Sequence, residues 1–212
     1  MKNLSLIIIA FLIFSMMITF WERTSIKEVT IGQQVWMTEN LDTEKFQNGD
    51  PILQARSSGE WKAYANDGTP AWCCYEKNPL NGKKHGKLYN WHAVNDPKGL
   101  APNGWHIPNN DEWRTLADYL GGDDIAGNKM KSKNAWSDHG NGTNESGFNG
   151  FPSGYCLEDG SFTNMGKFGF WWSSTENDEV IAWYSSLFYK NSYLSIHHFS
   201  KSFGFSVRCI KN

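Results

Sequence analysis

The sequence has no excess of charge of either sign. Its 20 Lys and Arg residues nearly balance 22 Asp and Glu residues, so the formal net charge is −2 at pH 7. A protein that binds nucleic acid through phosphates needs a basic surface, so we expect no nucleic-acid partner. Aromatic residues are abundant, with 11 Trp, whereas disordered chains are poor in them. The composition therefore indicates a compact domain.

Recognised catalytic motifs are also missing. The chain has no His-Glu-x-x-His, no Gly-x-Ser-x-Gly and no phosphate-binding loop. None of the six histidines has a zinc-ligand spacing from a cysteine. The acidic run Glu176–Glu179 carries the oxygen ligands that Ca²⁺ prefers, although a solvated acidic turn explains it more simply. We therefore predict a protein that is not an enzyme and needs no cofactor, and we leave calcium at this turn open.

Cysteines number only four: Cys73, Cys74, Cys156 and Cys209. An even count in an exported protein is compatible with disulfides. A bridge between the neighbours Cys73 and Cys74 would be strained, because their Cα atoms lie only about 3.8 Å apart. Cys156–Cys209 is one candidate for a long-range bridge. The alternative is that all four thiols are reduced and buried as small apolar side chains.

The N-terminus contains one long apolar stretch, from Leu4 to Phe20, preceded by the positive charge of Lys2. This pattern is typical of a secretory signal, and about 17 apolar residues is also the lower limit for spanning a bilayer. We expect residues 1–21 to be a signal peptide or an N-terminal anchor. The protein would then be exported to the periplasm, the cell surface or the medium. Membrane contact would occur only through this segment, if it is not cleaved. Residues 28–212 have the length of a single domain.

The clearest helix signal starts at Asn109, which can cap a helix, while Glu112 completes the spacing of a capping box. An apolar stripe follows at helical spacing, and Gly121-Gly122 predicts the end; the stripe consists of Trp113, Leu116, Ala117 and Leu120. Residues 124–131 predict a second, short helix. Residues 56–86 are rich in Gly, Asn, Asp and Lys, and we expect a long irregular loop there.

Strand patterns dominate the rest of the chain. Residues 29–37 alternate around a Gly-Gln turn and predict an N-terminal hairpin. Residues 181–189 and 193–199 flank a polar turn and predict a second antiparallel hairpin, and residues 203–210 predict a last strand. The predicted helices lie in the first half of the chain and most of the predicted strands in the second, so the two do not alternate. This pattern indicates an α+β fold.

Several motifs occur in the order known from one family. They are Val35–Leu41, Gly104–Trp113, Gly121-Gly122, Asn144–Phe148, Trp171–Glu176 and Gly204–Cys209. On these residues, over about 28–210, the chain resembles the Fibrobacter succinogenes major paralogous domain, a family of exported and surface proteins without an established activity.

A wider resemblance is to formylglycine-generating-type domains, which are C-type-lectin-like. It implies a C-type-lectin-like fold with a twisted antiparallel sheet and hairpins, two helices and long irregular loops. Those enzymes bind copper through two cysteines in the C-terminal half. Cys156 and Cys209 do not have that spacing. This departure from the pattern of those enzymes argues against oxidase activity here.

The stretch 183–199 mixes aromatic rings with Ser and Asn, which is also the composition of antibody paratopes. In proteins of the C-type-lectin-like resemblance, this region faces the ligand. The candidate binding residues are Trp183, Tyr184, Phe188, Tyr189, Tyr193, His197 and His198. Alternation along a strand lets only about half of them face a ligand, and ordinary sheet composition is the competing explanation.

We therefore predict an exported, non-enzymatic binding or adhesion module for a glycan or a protein at the cell surface or in the periplasm. Two alternatives stay open at this point. One is a divergent enzyme of the formylglycine-generating type. The other is a structural surface protein without a specific ligand.

Overall fold

The computed structural model describes residues 26–212. The predicted signal peptide or anchor, residues 1–21, lies outside them. Within the described part there are five α-helices: α1 Ser58–Asn66, α2 Pro79–His85, α3 Trp91–Val94, α4 Asn110–Tyr119 and α5 Asp123–Met130. A 3₁₀ turn, Tyr75–Lys77, precedes α2. No helix between residues 26 and 212 combines the length and the apolarity needed to cross a membrane.

Twelve strands accompany these helices in residues 26–212. They are β1 Glu28–Ile31, β2 Gln34–Met37, β3 Leu53–Gln54, β4 Ala71–Cys73, β5 Leu88–Tyr89, β6 Trp105–His106, β7 Ser153–Cys156, β8 Phe162–Met165, β9 Phe168–Glu176, β10 Ile181–Phe188, β11 Leu194–Ser200 and β12 Ile210–Lys211. They form four small sheets, ordered β1-β2-β12-β6, β11-β10-β9, β3-β4-β5 and β7-β8. All pairings are antiparallel except β3 with β4. The predicted α+β class is confirmed.

The two ends of the domain meet in the first sheet. The predicted N-terminal hairpin is confirmed, with β1 and β2 joined around Gly32. The last strand lies between β2 and β6, because Ile210 is paired with Trp36 on one side and His106 on the other. The domain is therefore closed by its own C-terminus.

The predicted capped helix is also confirmed. The Asn109 side chain accepts the backbone N–H of Glu112, and the Glu112 carboxylate accepts the backbone N–H of Asn109. The apolar stripe of α4 is buried, with Trp113 and Leu116 fully inaccessible to solvent. Helix α5 follows after the positive-φ glycines Gly121 and Gly122. The capping residues and the buried apolar stripe therefore both belong to the predicted helix.

Three sequence predictions need correction. Residues 56–86 are not an irregular loop, because they contain α1, β4 and α2. The expected two helices become five in the described residues. Residues 203–210 are not one strand: Gly204, Phe205 and Ser206 make isolated bridges to Cys156, Tyr89 and Trp171, and regular pairing starts only at Ile210. Long-range pairing decides β4 and residues 203–210, whereas α1 has a local signal, the capping box formed by Ser57 and Glu60.

A buried polar centre joins the sheets. Arg208 is fully buried, and its guanidinium donates to the carbonyls of Met37 and Phe148 and to the side-chain oxygen of Asn40. The ring of Phe148 lies 4.4 Å below the guanidinium. Burial lowers the pKa of Arg208 to about 9, which still leaves it charged at neutral pH. The predicted C-terminal motif therefore supplies scaffold, with Arg208 bound to residues from across the chain.

Candidate functional site

The antiparallel hairpin predicted from residues 181–189 and 193–199 is confirmed as β10 and β11. Tyr184 lies opposite His197, and Ser186 lies opposite Ser195. On its other side β10 pairs with β9, which places Phe170 beside Ser186 and Phe168 beside Phe188. Because side chains alternate along a strand, these residues share one face of the three-stranded sheet.

The opposite face of the sheet packs against helices α4 and α5. Leu187 and Leu194 pack there into a core cluster with Trp113 and Met130, which belong to α4 and α5. The sequence did not show which face of the hairpin is buried. The structure assigns Leu187 to the core and leaves the face of Tyr184, Ser186 and Phe188 toward a surface groove.

The groove has a volume of about 350 Å³. Seven of its twelve lining residues are aromatic, so ring faces dominate its walls: Tyr155, Phe168, Phe170, Tyr184, Phe188, Phe199 and Phe205. The remaining five, Asn164, Ser186, Asn191, Ser195 and His197, can donate or accept hydrogen bonds. No Asp, Glu, Lys or Arg lines it. A mostly aromatic cleft with a few polar groups is the usual chemistry of a ligand site.

Ring contacts hold the walls in place. Phe188 stacks on Phe168 with centroids 4.3 Å apart, and Tyr155 packs edge-on against Phe170 at 4.9 Å. Tyr184 contacts Phe205, from the C-terminal segment, at 5.1 Å. Burial raises the pKa of Tyr184, so its phenol is neutral at physiological pH and available as a donor or acceptor. The groove is therefore a preformed, uncharged surface.

Three of the seven candidate binding residues line this groove: Tyr184, Phe188 and His197. The other four do not. Trp183 and His198 contact each other edge-on at 5.3 Å and belong to the opposite face of the hairpin. Tyr189 packs at the edge of the core cluster below β10, and Tyr193 is exposed beside a separate shallow depression near Asp123.

Five of the twelve groove residues come from outside the predicted stretch 183–199. Tyr155, Asn164 and Phe168 come from β7, β8 and β9, and Phe205 comes from the C-terminal segment. A signal for part of this set was present, because Phe168 and Phe170 alternate like Tyr184, Ser186 and Phe188. The contribution of the β7-β8 hairpin had no such signal, since it depends on how that hairpin packs against β9.

The acidic turn 176–179 is occupied by protein contacts. The Asp178 carboxylate accepts the backbone N–H groups of Ile181 and Val180, and these bonds lower the pKa of Asp178. Glu176 pairs with the buried Lys201. Nowhere in residues 26–212 do three or more His, Cys, Asp or Glu side chains group as a metal site would require. A solvated turn accounts for these residues.

His106, in the family motif, also has protein partners. Its Nε2 lies 2.7 Å from Glu112 Oε1, and its Nδ1 lies 2.7 Å from Asn212 Oδ1. The ring therefore ties the C-terminus to the capping box of α4. This arrangement agrees with a structural role and places His106 outside the groove.

The candidate disulfide is not present. Cys73, Cys74, Cys156 and Cys209 are all free and buried in the structure. Cys156 belongs to a small core cluster with Cys73, whereas Cys209 belongs to the large cluster beneath the groove. The prediction of Cys156–Cys209 is therefore wrong, because the two residues are buried in different parts of the core.

Comparison with known proteins gives one match. The model of the Fibrobacter succinogenes major domain matches residues 29–211. No curated protein and no solved structure matches the chain. The matched range contains the N-terminal hairpin, the capped helix, the groove and the closing strand. This chain therefore belongs to the Fibrobacter succinogenes major domain family.

Proposed function

We propose that this protein is an exported, non-enzymatic binding module that holds a glycan in the aromatic groove over β9, β10 and β11. The observation that carries the proposal is the lining of the groove. Seven of the twelve lining residues are aromatic, polar side chains are interleaved with them, and no Asp, Glu, Lys or Arg is among them.

A neutral sugar fits this chemistry. The C–H face of a pyranose ring is apolar and packs on an aromatic face, whose π electrons carry partial negative charge. Its hydroxyls need donors and acceptors, which the lining residues Asn164, Asn191 and Ser186 provide. An anionic ligand such as a phosphate would instead require basic side chains. The uncharged lining therefore favours a neutral glycan.

A protein ligand is the second candidate. Aromatic rings mixed with Ser and Asn also make good protein contacts, because the rings are large and lose little conformational entropy on binding. Phe199, in the groove, is 44% exposed, and Tyr193, outside it on the same hairpin, is 49% exposed and would extend such a contact. A structural protein without a ligand would not need a concave aromatic surface of this kind.

The C-type-lectin-like fold and the wider relation to formylglycine-generating-type domains belong to this proposal too. Two features support the fold: the joining of the N-terminal hairpin to the C-terminal strand, and a hairpin late in the chain that lines a groove. The positions of two cysteines argue against oxidase activity. Cys156 and Cys209 are fully buried, and neither lines the groove. A copper-binding pair would have to face the substrate.

The test is binding of the purified domain to an array of neutral and acidic glycans, followed by calorimetric titration of the best ligand. Replacing Tyr184 with Ala removes one wall of the groove and should weaken binding at least tenfold, since a central aromatic contact contributes about 1.5 kcal/mol or more. His197→Ala, at the exposed rim, should weaken it about threefold.

Trp183→Ala provides the matched control, because Trp183 is on the same strand but on the other face. It should leave the affinity within a factor of two if the fold is intact, which circular dichroism checks. Equal losses for Trp183→Ala and Tyr184→Ala would contradict the placement of the site. A protein ligand would be favoured if the domain binds no glycan but captures a defined surface protein, and if Tyr184→Ala abolishes that capture. Export is tested separately by locating the full-length chain in cell fractions.

A further inference from the structure

Two cysteines from distant parts of the chain lie together in the smallest core cluster. Cys73 ends β4 and Cys156 ends β7, and both are fully buried. Their cluster has only seven buried members, including Trp61 and Tyr75. Cys74 and Cys209 belong to a separate, larger core cluster. Among the four cysteines, the fold therefore brings Cys73 and Cys156 together.

The surrounding contacts explain this proximity. Cys156 is paired with Phe162 across the β7-β8 hairpin, and the Phe162 ring lies 5.1 Å from the ring of Tyr75, two residues after Cys73. Gly154 also lies directly against Tyr75, because a Cβ at Gly154 would be 2.7 Å from the tyrosine ring. The segment after β4 therefore packs across the base of the hairpin that carries Cys156.

The two cysteine side chains contact each other directly. The Cys156 thiol is within hydrogen-bonding reach of Cys73, and burial together with this contact raises the pKa of Cys156. In the folded, reduced protein both sulfurs are therefore held as neutral thiols side by side, which is the arrangement that a disulfide requires.

We propose that Cys73 and Cys156 form a disulfide when the chain folds under oxidising conditions, joining β4 to the β7-β8 hairpin. The Cys156 thiolate attacks a small disulfide such as oxidised glutathione and releases one thiol. The Cys73 thiolate then attacks the Cys156 sulfur of the mixed disulfide and releases the second thiol. The protein loses two hydrogens, and the small disulfide is reduced to two thiols.

This reaction must precede closure of the core, since both sulfurs are inaccessible in the folded protein. The bridge would close a loop of roughly 80 residues, and loops of this length gain the most from cross-linking. The bridge would hold β7 and β8, which supply Tyr155 and Asn164 to the groove. The proposal does not depend on what the groove binds.

The experiment refolds the full-length chain in a glutathione redox buffer, then counts free thiols under denaturing conditions and maps the peptides without reduction. We expect two of the four thiols to be lost and a single linkage between the peptides of Cys73 and Cys156. The melting temperature should rise by about 10 °C over the reduced protein. Four remaining thiols, or a linkage that uses Cys74 or Cys209, would overturn the proposal.

Two double variants separate the pairs. Cys74→Ser/Cys209→Ser should still form the bridge, and Cys73→Ser/Cys156→Ser should retain both remaining thiols. If either variant fails to fold, the peptide map of the unmodified chain decides.

Discussion

Replacing Asn40 with Ala should be among the most destabilising single changes in this protein. The Asn40 side-chain oxygen accepts from Arg208 Nη2 at 2.7 Å and from Trp171 Nε1 at 2.8 Å. Its amide nitrogen donates to the His85 carbonyl at 2.8 Å and to the hydroxyl of Ser206 at 3.2 Å. Asn40 therefore links segments that are far apart in the chain.

The expected cost follows from what the alanine leaves behind. Arg208 and Trp171 are fully buried, so neither can recover its bond from bulk water. A buried donor without an acceptor costs about 1–3 kcal/mol, and more when it is charged. Arg208 keeps its bonds to the carbonyls of Met37 and Phe148, which limits the loss. We expect the free energy of unfolding to fall by about 3–5 kcal/mol.

Urea unfolding followed by tryptophan fluorescence measures this change. Asn48→Ala is the matched control, because Asn48 is exposed and its side chain bonds only within its own turn; its effect should stay within about 0.5 kcal/mol. Arg208→Met combined with Asn40→Ala should cost less than the two single changes together, by about 1.5–3 kcal/mol. A loss below about 1 kcal/mol for Asn40→Ala, or strict additivity, would refute the idea that unpaired buried donors dominate.

Two further predictions concern stability. Gly127→Ala should lower the free energy of unfolding by about 2 kcal/mol despite better helix propensity, because the new Cβ would lie 2.3 Å from the Tyr193 carbonyl oxygen. Gly59→Ala, where a Cβ has room, should raise the free energy of unfolding by about 0.5–1 kcal/mol; equal changes in melting temperature for the two variants would contradict this. Burial lowers the pKa of His85 and His92, so the folded state favours their neutral forms. The free energy of unfolding should therefore be highest above the unfolded histidine pKa of about 6.5 and should fall as the pH drops below it. In His85→Gln/His92→Gln, the urea midpoint should change less between about pH 7 and 5 than in the unmodified protein.

Local chemistry accounts for the elements that could be predicted. Helix α4 begins where Asn109 and Glu112 have capping-box spacing, and its apolar stripe is continuous, so all the information lies within a dozen residues. The hairpin of β10 and β11 has the same character, since alternation and a polar turn predict it. Among the missed elements, α1 also has a local signal in the capping box of Ser57 and Glu60, whereas the missed strands depend on distant partners. Strand β4 forms because it pairs with both β3 and β5, and nothing within residues 56–86 indicates those partners.

The sequence by itself determined the family, the α+β class, the capped helix and the hairpin that contributes Tyr184, Phe188 and His197 to the groove. Tertiary structure alone decided which face of that hairpin is buried, because period-two alternation is the same for either face. It also decided that Cys156 lies beside Cys73, and that Tyr155 and Asn164 complete the groove. These outcomes depend on packing between segments far apart in the chain, and such packing leaves no periodic trace in the sequence.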